Sequence, residues 1–322
     1  MTAATTSHTA RRRAALLSLA VGFLMLFGKW TAFVITGSYA ILSDALESVV
    51  HVVATAFALA SIILAARPPD LKYPYGYGKI GFFSAGFEGG LISLAGLAIL
   101  YEAGVALIHG SQPTRLDLGM LLIAIAAGIN FWLGVYLIRL GKKEVSLILV
   151  ADGQHVLADA YTSLGVLVGV ALVWITGLAW LDAVVAIGFG LNILWTGWTL
   201  VRESFSGLMD KADPALLGRI VEAVQAAREP GWIDLHQLRA WQAGDRVFVD
   251  FHLAVPSDWT VTHVHDTNDR LHDLLRDLLG DETELIVHFD PDRPDFDAGR
   301  PWTVESATRI PGTLSDSPVS VD

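Results

Sequence analysis

The chain has 322 residues, of which 53% are hydrophobic and 17% charged, and its mean hydropathy is +0.49. Residues 1–202 hold 12 Lys and Arg against 10 Asp and Glu, whereas residues 203–322 hold 10 against 23. An apolar, nearly neutral part followed by a polar, acidic one excludes a single globular domain, and the acidity argues against a nucleic-acid partner. The lack of cysteine excludes disulfides, thiolate metal sites and iron–sulfur clusters, and no G-x-x-x-x-G-K-[ST] stretch suggests ATP hydrolysis.

A helix needs about 20 mostly apolar residues to cross a bilayer. Six stretches meet that length, at 14–36, 39–66, 80–108, 117–139, 146–176 and 179–201. They predict an α-helical membrane protein with a six-helix transmembrane domain over 14–207, preceded by a basic segment, 1–13, and with no targeting peptide. Arg11 to Arg13, Arg67, Lys72, Lys79, Arg139, Lys142, Lys143 and Arg202 all fall on one side, whereas the opposite loops hold only Arg115. The positive-inside rule therefore predicts a multi-pass protein of the plasma (inner) membrane with both termini in the cytoplasm.

From about residue 208 the pattern changes. Asp213-Pro214 opens an amphipathic helix, Ile233 to Trp241 and Val247 to Val255 alternate as strands around Ala243-Gly244-Asp245, a second helix covers 262–279, and Glu284 to Phe289 form a third strand. This αββαβ order predicts a cytoplasmic α+β domain of the ferredoxin-like kind over 208–292. The Pro-, Ser-, Thr- and Asp-rich tail, 293–322, is expected to be disordered.

An ionisable group at bilayer depth costs at least ~2.5–3.5 kcal/mol, so each one is a candidate functional residue. The second span carries Asp44, Glu47 and His51, and the fifth carries Asp152, His155 and Asp159. Both sets have the spacing i, i+3, i+7, which lines one helical face. Facing each other, the stripes would offer Glu47, His51, His155 and Asp159 as four nitrogen and oxygen ligands for a divalent metal. An acid/His pair four apart could also be a plain intrahelical hydrogen bond. Asp44 and Asp152, a turn away, read either as support for the ligands or as helix-packing residues. Lys29, Glu88 and Glu102 read equally as helix-to-helix salt bridges or as transport residues. A second constellation lies in the acidic domain, where six of the ten histidines fall between His236 and His288, with Asp290 beside the last.

GSYAILSDALESVVHVV, PYGYGK, ADGQHVLADAYTS, LHQLRAWQAGDRVFVDFH and IVHFDP resemble the cation diffusion facilitator family of divalent-metal/proton antiporters, over residues 12–292. The resemblance implies a transport site at Glu47, His51, His155 and Asp159, although Glu47 and His51 depart from the family's usual His or Asp followed by Asp. It implies a cytoplasmic metal site of His236, His252, His265, His288 and Asp290, and a homodimer joined through that domain. Lys79 and Asp210 match a family charge pair at the hinge between the two parts. Tyr73 and Tyr77 stand where the family often has loop histidines, so the loop site at Asp70 is expected to be weakened, because phenols titrating near pH ~10 are poor ligands at neutral pH.

The expected activity is efflux of a divalent transition metal in exchange for protons, with Zn2+ placed before Fe2+, Co2+, Ni2+, Cd2+ and Mn2+. The metal would serve as substrate and as regulatory ligand, without a prosthetic group. The rivals are a membrane-anchored metal sensor that transports nothing and an intramembrane zinc enzyme. No H-E-x-x-H or other hydrolase signature supports the latter.

Overall fold

In a computed structural model, residues 3–36, 39–109, 118–178, 180–294, 296 and 299–309 are described. The side chains of Lys29, Asp44, Glu47 and Asp182 lie outside the described set, as do Arg115 and the end of the tail. The chain divides into two compact units, Met1–Leu208 and Met209–Asp322.

The first unit is built of helices α1 (Ala3–Thr36), α2 (Tyr39–Ala65), α3 (Ile80–His109), α4 (Leu118–Lys143), α5 (Leu147–Thr176) and α6 (Trp180–Leu208). Among the described residues, three stretches are long and apolar enough to cross a membrane: Ile80–Ile108, Ala124–Lys143 and Ala183–Leu208. At 34 residues, α1 begins well before the expected span. It is about 50 Å long, longer than the ~30 Å hydrocarbon layer, and so takes Arg11 to Arg13 into the helix. Arg11 donates to the Glu144 carbonyl beyond α4, at 2.6 Å.

Apolar packing sets the arrangement. Ala14, Ala15, Ala58, Ile62, Leu133, Leu137, Leu149 and Val156 form one buried cluster, joining α1, α2, α4 and α5. Ala85, Ile92, Ala151, Ala158, Ile193 and Leu200 form another, joining α3, α5 and α6. Helix α5 contributes to both and is therefore fixed from two sides. Small residues bring the closest helix pairs together. A Cβ on Gly153 of α5 would lie 2.9 Å from the Gly134 carbonyl oxygen of α4, and one on Gly197 of α6 would lie 2.8 Å from that of Gly89 on α3.

The second unit contains α7 (Pro214–Ala226), β1 (Asp234–Ala243), β2 (Arg246–Val255), α8 (Val261–Leu279), β3 (Thr283–Pro291) and α9 (Val304–Thr308). Asp213 caps α7 by accepting from the Ala215 amide at 2.9 Å, with Pro214 in the first turn, where its missing N–H costs nothing. Strands β1 and β2 are antiparallel across a two-residue loop in which Gly244 takes φ 66°. Strand β3 returns through α8 to lie parallel to β2, giving the order β1-β2-β3. Leu217, Ile220, Leu235, Val249, Phe251, Leu271, Leu275 and Leu285 close the core between the helices and one face of the sheet.

Within the tail, residues 299–309 differ from expectation. Trp302 is buried, its ring is covered by the Arg228 guanidinium at 4.2 Å, and its amide donates to Gln225 Oε1 at 2.9 Å. Helix α9 follows with a capping box between Thr303 and Ser306. The polar average of 293–322 concealed the apolar anchors Trp302 and Ala307, which belong to the domain core.

Replacing Gly153 by Leu should force α4 and α5 apart, cost about 1–3 kcal/mol and lower the melting temperature of the purified protein. Gly90→Ala, where a Cβ meets nothing within 4 Å, should leave it unchanged. Thermal unfolding in detergent compares the two.

Candidate metal sites

In the helical unit, His51 of α2 meets His155 and Asp159 of α5. One ligand atom from each lies within 4.8 Å of the others. His51 Nδ1 is 3.1 Å from Asp159 Oδ2, and the imidazoles stack with centroids 5.0 Å apart and planes 16° from parallel. Both histidines are buried, at 7% exposure, while the Asp159 side chain keeps 26%. His155 Nδ1 has no hydrogen-bond partner among the described residues, and a buried lone pair without a donor is costly unless something electrophilic meets it. Two imidazoles and a carboxylate form a borderline donor set suited to a divalent transition metal.

Asp152 lies off this cluster, fully buried, and accepts from Thr55 at 3.1 Å. Glu88 is buried with neither oxygen hydrogen-bonded among the described residues. Glu102 is exposed. Gly22 of α1, which sequence reasoning missed, makes room for the site. A Cβ there would lie 3.2 Å from His51 Cδ2.

In the second unit, strand register aligns three histidines, with His236 opposite His252 and His252 opposite His288. Asp290 follows His288 on the same face and gathers all three. Its Oδ2 is 2.9 Å from His252 Nδ1 and 3.2 Å from His236 Nε2, and its Oδ1 is 3.5 Å from His288 Nε2. Burial pushes the Asp290 carboxyl up, but the His252 hydrogen bond and the three neighbouring rings outweigh it and hold the group below the usual carboxylate range. His236, His252 and Asp290 offer ligand atoms within 4.8 Å of one another. His265 is not brought to them; it is exposed on α8 and pairs with Asp269 at 3.8 Å.

The cation efflux transmembrane domain matches residues 15–209, and the cytoplasmic domain of cation efflux proteins matches residues 212–292. The chain belongs to the cation diffusion facilitator family. An uncharacterised transporter of Synechocystis sp. is 38% identical over 278 residues, covering 86% of this chain and 89% of the relative. The metal cation efflux system protein CzcD of Cupriavidus metallidurans is 29% identical, covering 85% of each chain. The manganese efflux system protein MneP of Bacillus subtilis is 27% identical, covering 87% of this chain and 96% of its own. This facilitator is thus a metal-cation efflux transporter rather than an enzyme, with a helical transmembrane domain and a cytoplasmic domain.

In this facilitator both oxygens of Asp70 are engaged. Oδ1 accepts from the Lys72 and Tyr73 amides at 2.9 and 2.7 Å, and Oδ2 accepts from the Tyr77 hydroxyl at 2.6 Å. The Tyr77 hydroxyl, and after it the Tyr73 amide, hold the Asp70 carboxyl below its ordinary 3.8. Lys79 lies in the transmembrane domain, just before α3, and Asp210 in the cytoplasmic domain with φ 54°.

Sequence reading passed over Asp234 and Arg309. Asp234 Oδ2 lies 3.2 Å from His236 Nδ1 and accepts from Arg309 at 2.7 Å. A carboxylate beside Nδ1 favours a proton there and leaves the Nε2 lone pair available to a metal ion. The alternation that placed Asp234 and His236 on one face was visible in the sequence, but the arrival of Arg309 from 75 residues away was not.

Arg309→Ala should weaken Zn2+ binding to the cytoplasmic domain by about 10–100-fold without loss of strand signal; calorimetry and circular dichroism on the full chain test this. A depressed folded pKa stabilises the Asp70 loop above the ordinary value and loses that contribution as pH falls through the lowered one. Tyr77→Phe should therefore raise the pH of the Asp70 midpoint, as read by carboxyl NMR.

Proposed function

We propose that this transporter moves Zn2+ out of the cytoplasm in exchange for protons, through a site formed by Glu47, His51, His155 and Asp159. The meeting of two buried imidazoles with Asp159 inside the helical unit carries this reading. Glu47 stands four residues before His51 in the sequence of α2, the spacing of two ligands one helical turn apart. The donor set favours Zn2+ and accommodates Fe2+, Co2+, Ni2+ and Cd2+; a Mn2+ site would have more oxygen.

Proton coupling follows from the ligands. Metal is bound by neutral imidazole and ionised carboxylate, so binding displaces protons and protonation releases metal. Imidazole titrates near pH ~6.5 when unperturbed, which makes His51 and His155 the first proton carriers. The six helices act as spans of a plasma membrane with both termini on the cytoplasmic, positive side.

The cytoplasmic site, His236, His252, His288 and Asp290, regulates rather than transports. His265, exposed on α8, would join it only by rearrangement or from a second copy. The sheet face opposite α7 and α8 leaves Ile286 exposed at 65%, and that face supports a homodimer. Asp70, already saturated by its own loop, contributes no third site.

Metal flux into proteoliposomes carrying a pH-sensitive dye tests the reading. Wild type should admit Zn2+ with opposing proton movement, and Asp159→Ala should fall to the background of empty vesicles. Zn2+ binding to the protein without any ion crossing under any gradient would replace the transporter reading with that of a sensor.

A further inference from the structure

Glu88 is the one acidic side chain of the helical unit that is described as fully buried and has no hydrogen-bond partner on either oxygen among the described residues. It sits on α3, outside the stripe that gathers metal ligands. Ala85 and Ile92 of α3, flanking Glu88, pack in one buried cluster with Ala151 of α5, the neighbour of Asp152, whose charge reaches Glu88. The two carboxyls are served unequally. Asp152 Oδ1 accepts from Thr55 of α2 at 3.1 Å, while its Oδ2 has no hydrogen-bond partner among the described residues. Thr55 is fully buried.

The surroundings of Glu88 offer no compensating cation among the described residues. Helix α6 meets α3 at Gly86 and Gly89 with Ser204, Leu200 and Gly197, none of them titratable. Helix α5 faces it with Asp152, followed by His155 and Asp159 one and two turns on. Helix α2 contributes His51 and, one turn on, Thr55; α1 contributes Ser18. An ionised carboxylate buried without donor or cation costs several kcal/mol, and a carboxylate beside it raises that cost. Of the two carboxyls, Asp152 keeps one hydrogen bond and Glu88 none, so Glu88 is the one whose ionised form is supported least and which holds the proton.

We propose that Glu88 is a proton-binding site of the transport cycle, separate from the metal ligands and linked to them through Asp152. The linkage is electrostatic. A divalent cation arriving at His51, His155 and Asp159 adds positive charge near Asp152, relieves the negative field on Glu88 and lets its proton leave. Loss of the metal restores the field, and a proton returns to the Glu88 carboxylate. Metal and proton thus oppose each other through one shared neighbour, and the coupling is reciprocal. The inference rests on the metal/proton exchange proposed above and adds to it a carrier that touches no metal.

The test uses full-length protein in proteoliposomes, with Zn2+ and a pH-sensitive dye, for wild type and Glu88→Gln. The variant should keep the wild-type melting temperature and bind Zn2+ at neutral pH, but move one proton fewer per Zn2+ and show a flatter dependence of flux on pH. An unchanged proton count and pH profile in Glu88→Gln, with wild type exchanging normally, would overturn this inference alone. Zn2+ flux without proton movement in wild type would overturn both readings. Infrared difference spectra of wild type keep the idea testable if the variant does not fold. A neutral-carboxyl C=O band should disappear on Zn2+ addition, and its absence from the metal-free protein would overturn the proposal.

Discussion

The contact between His51 and Asp159 at 3.1 Å, with His155 stacked against the first ring, is the constraint around which the helical unit is arranged. Three polar groups inside an apolar bundle are expensive singly. Here the Asp159 carboxylate lies against the His51 ring, and the stacked imidazoles bury their faces against each other. The cluster can exist only if α2 and α5 present the correct faces to each other, so its stability depends on packing far from it.

That packing is asymmetric. Helix α5 lies between two apolar clusters, one shared with α1, α2 and α4 and the other with α3 and α6. Glycines set how closely the partners approach, with Gly153 against Gly134 on one side of the bundle and Gly197 against Gly89 on another. In lipid there is no hydrophobic gain from bringing helices together, so such close backbone contact is a main source of association. A polar stripe held on a helix fixed from two sides keeps its geometry when a ligand atom gains or loses a proton.

The cytoplasmic domain solves a similar problem with strands. Pairing β1 antiparallel and β3 parallel to β2 puts His236, His252 and His288 in one row, and Asp290, two residues on, reaches all of them. The row lies on the face that the core does not use. The tail then returns, and its Arg309 holds Asp234 against His236. The order of that ring is thereby tied to a segment beyond the 212–292 stretch that matches the family's cytoplasmic domain.

The sequence by itself determined the helices of the membrane part, the αββαβ order and the faces that carry charge, because hydropathy and periodicity are local: apolar runs must leave water, and residues at i, i+3 and i+7 share a helical face. It placed His155 and Asp159 together on α5 and His252, His288 and Asp290 on strands. Tertiary structure alone decided which faces meet. It brought His51 to the α5 pair, left His265 apart on α8, and closed Asp70 within its own loop through Tyr77. It also separated Glu88 from any cation among the described residues and folded Trp302 and Arg309 onto the domain. These outcomes depend on contacts between residues tens of positions apart, where a single side chain such as Trp302 outweighs the average character of the segment that carries it.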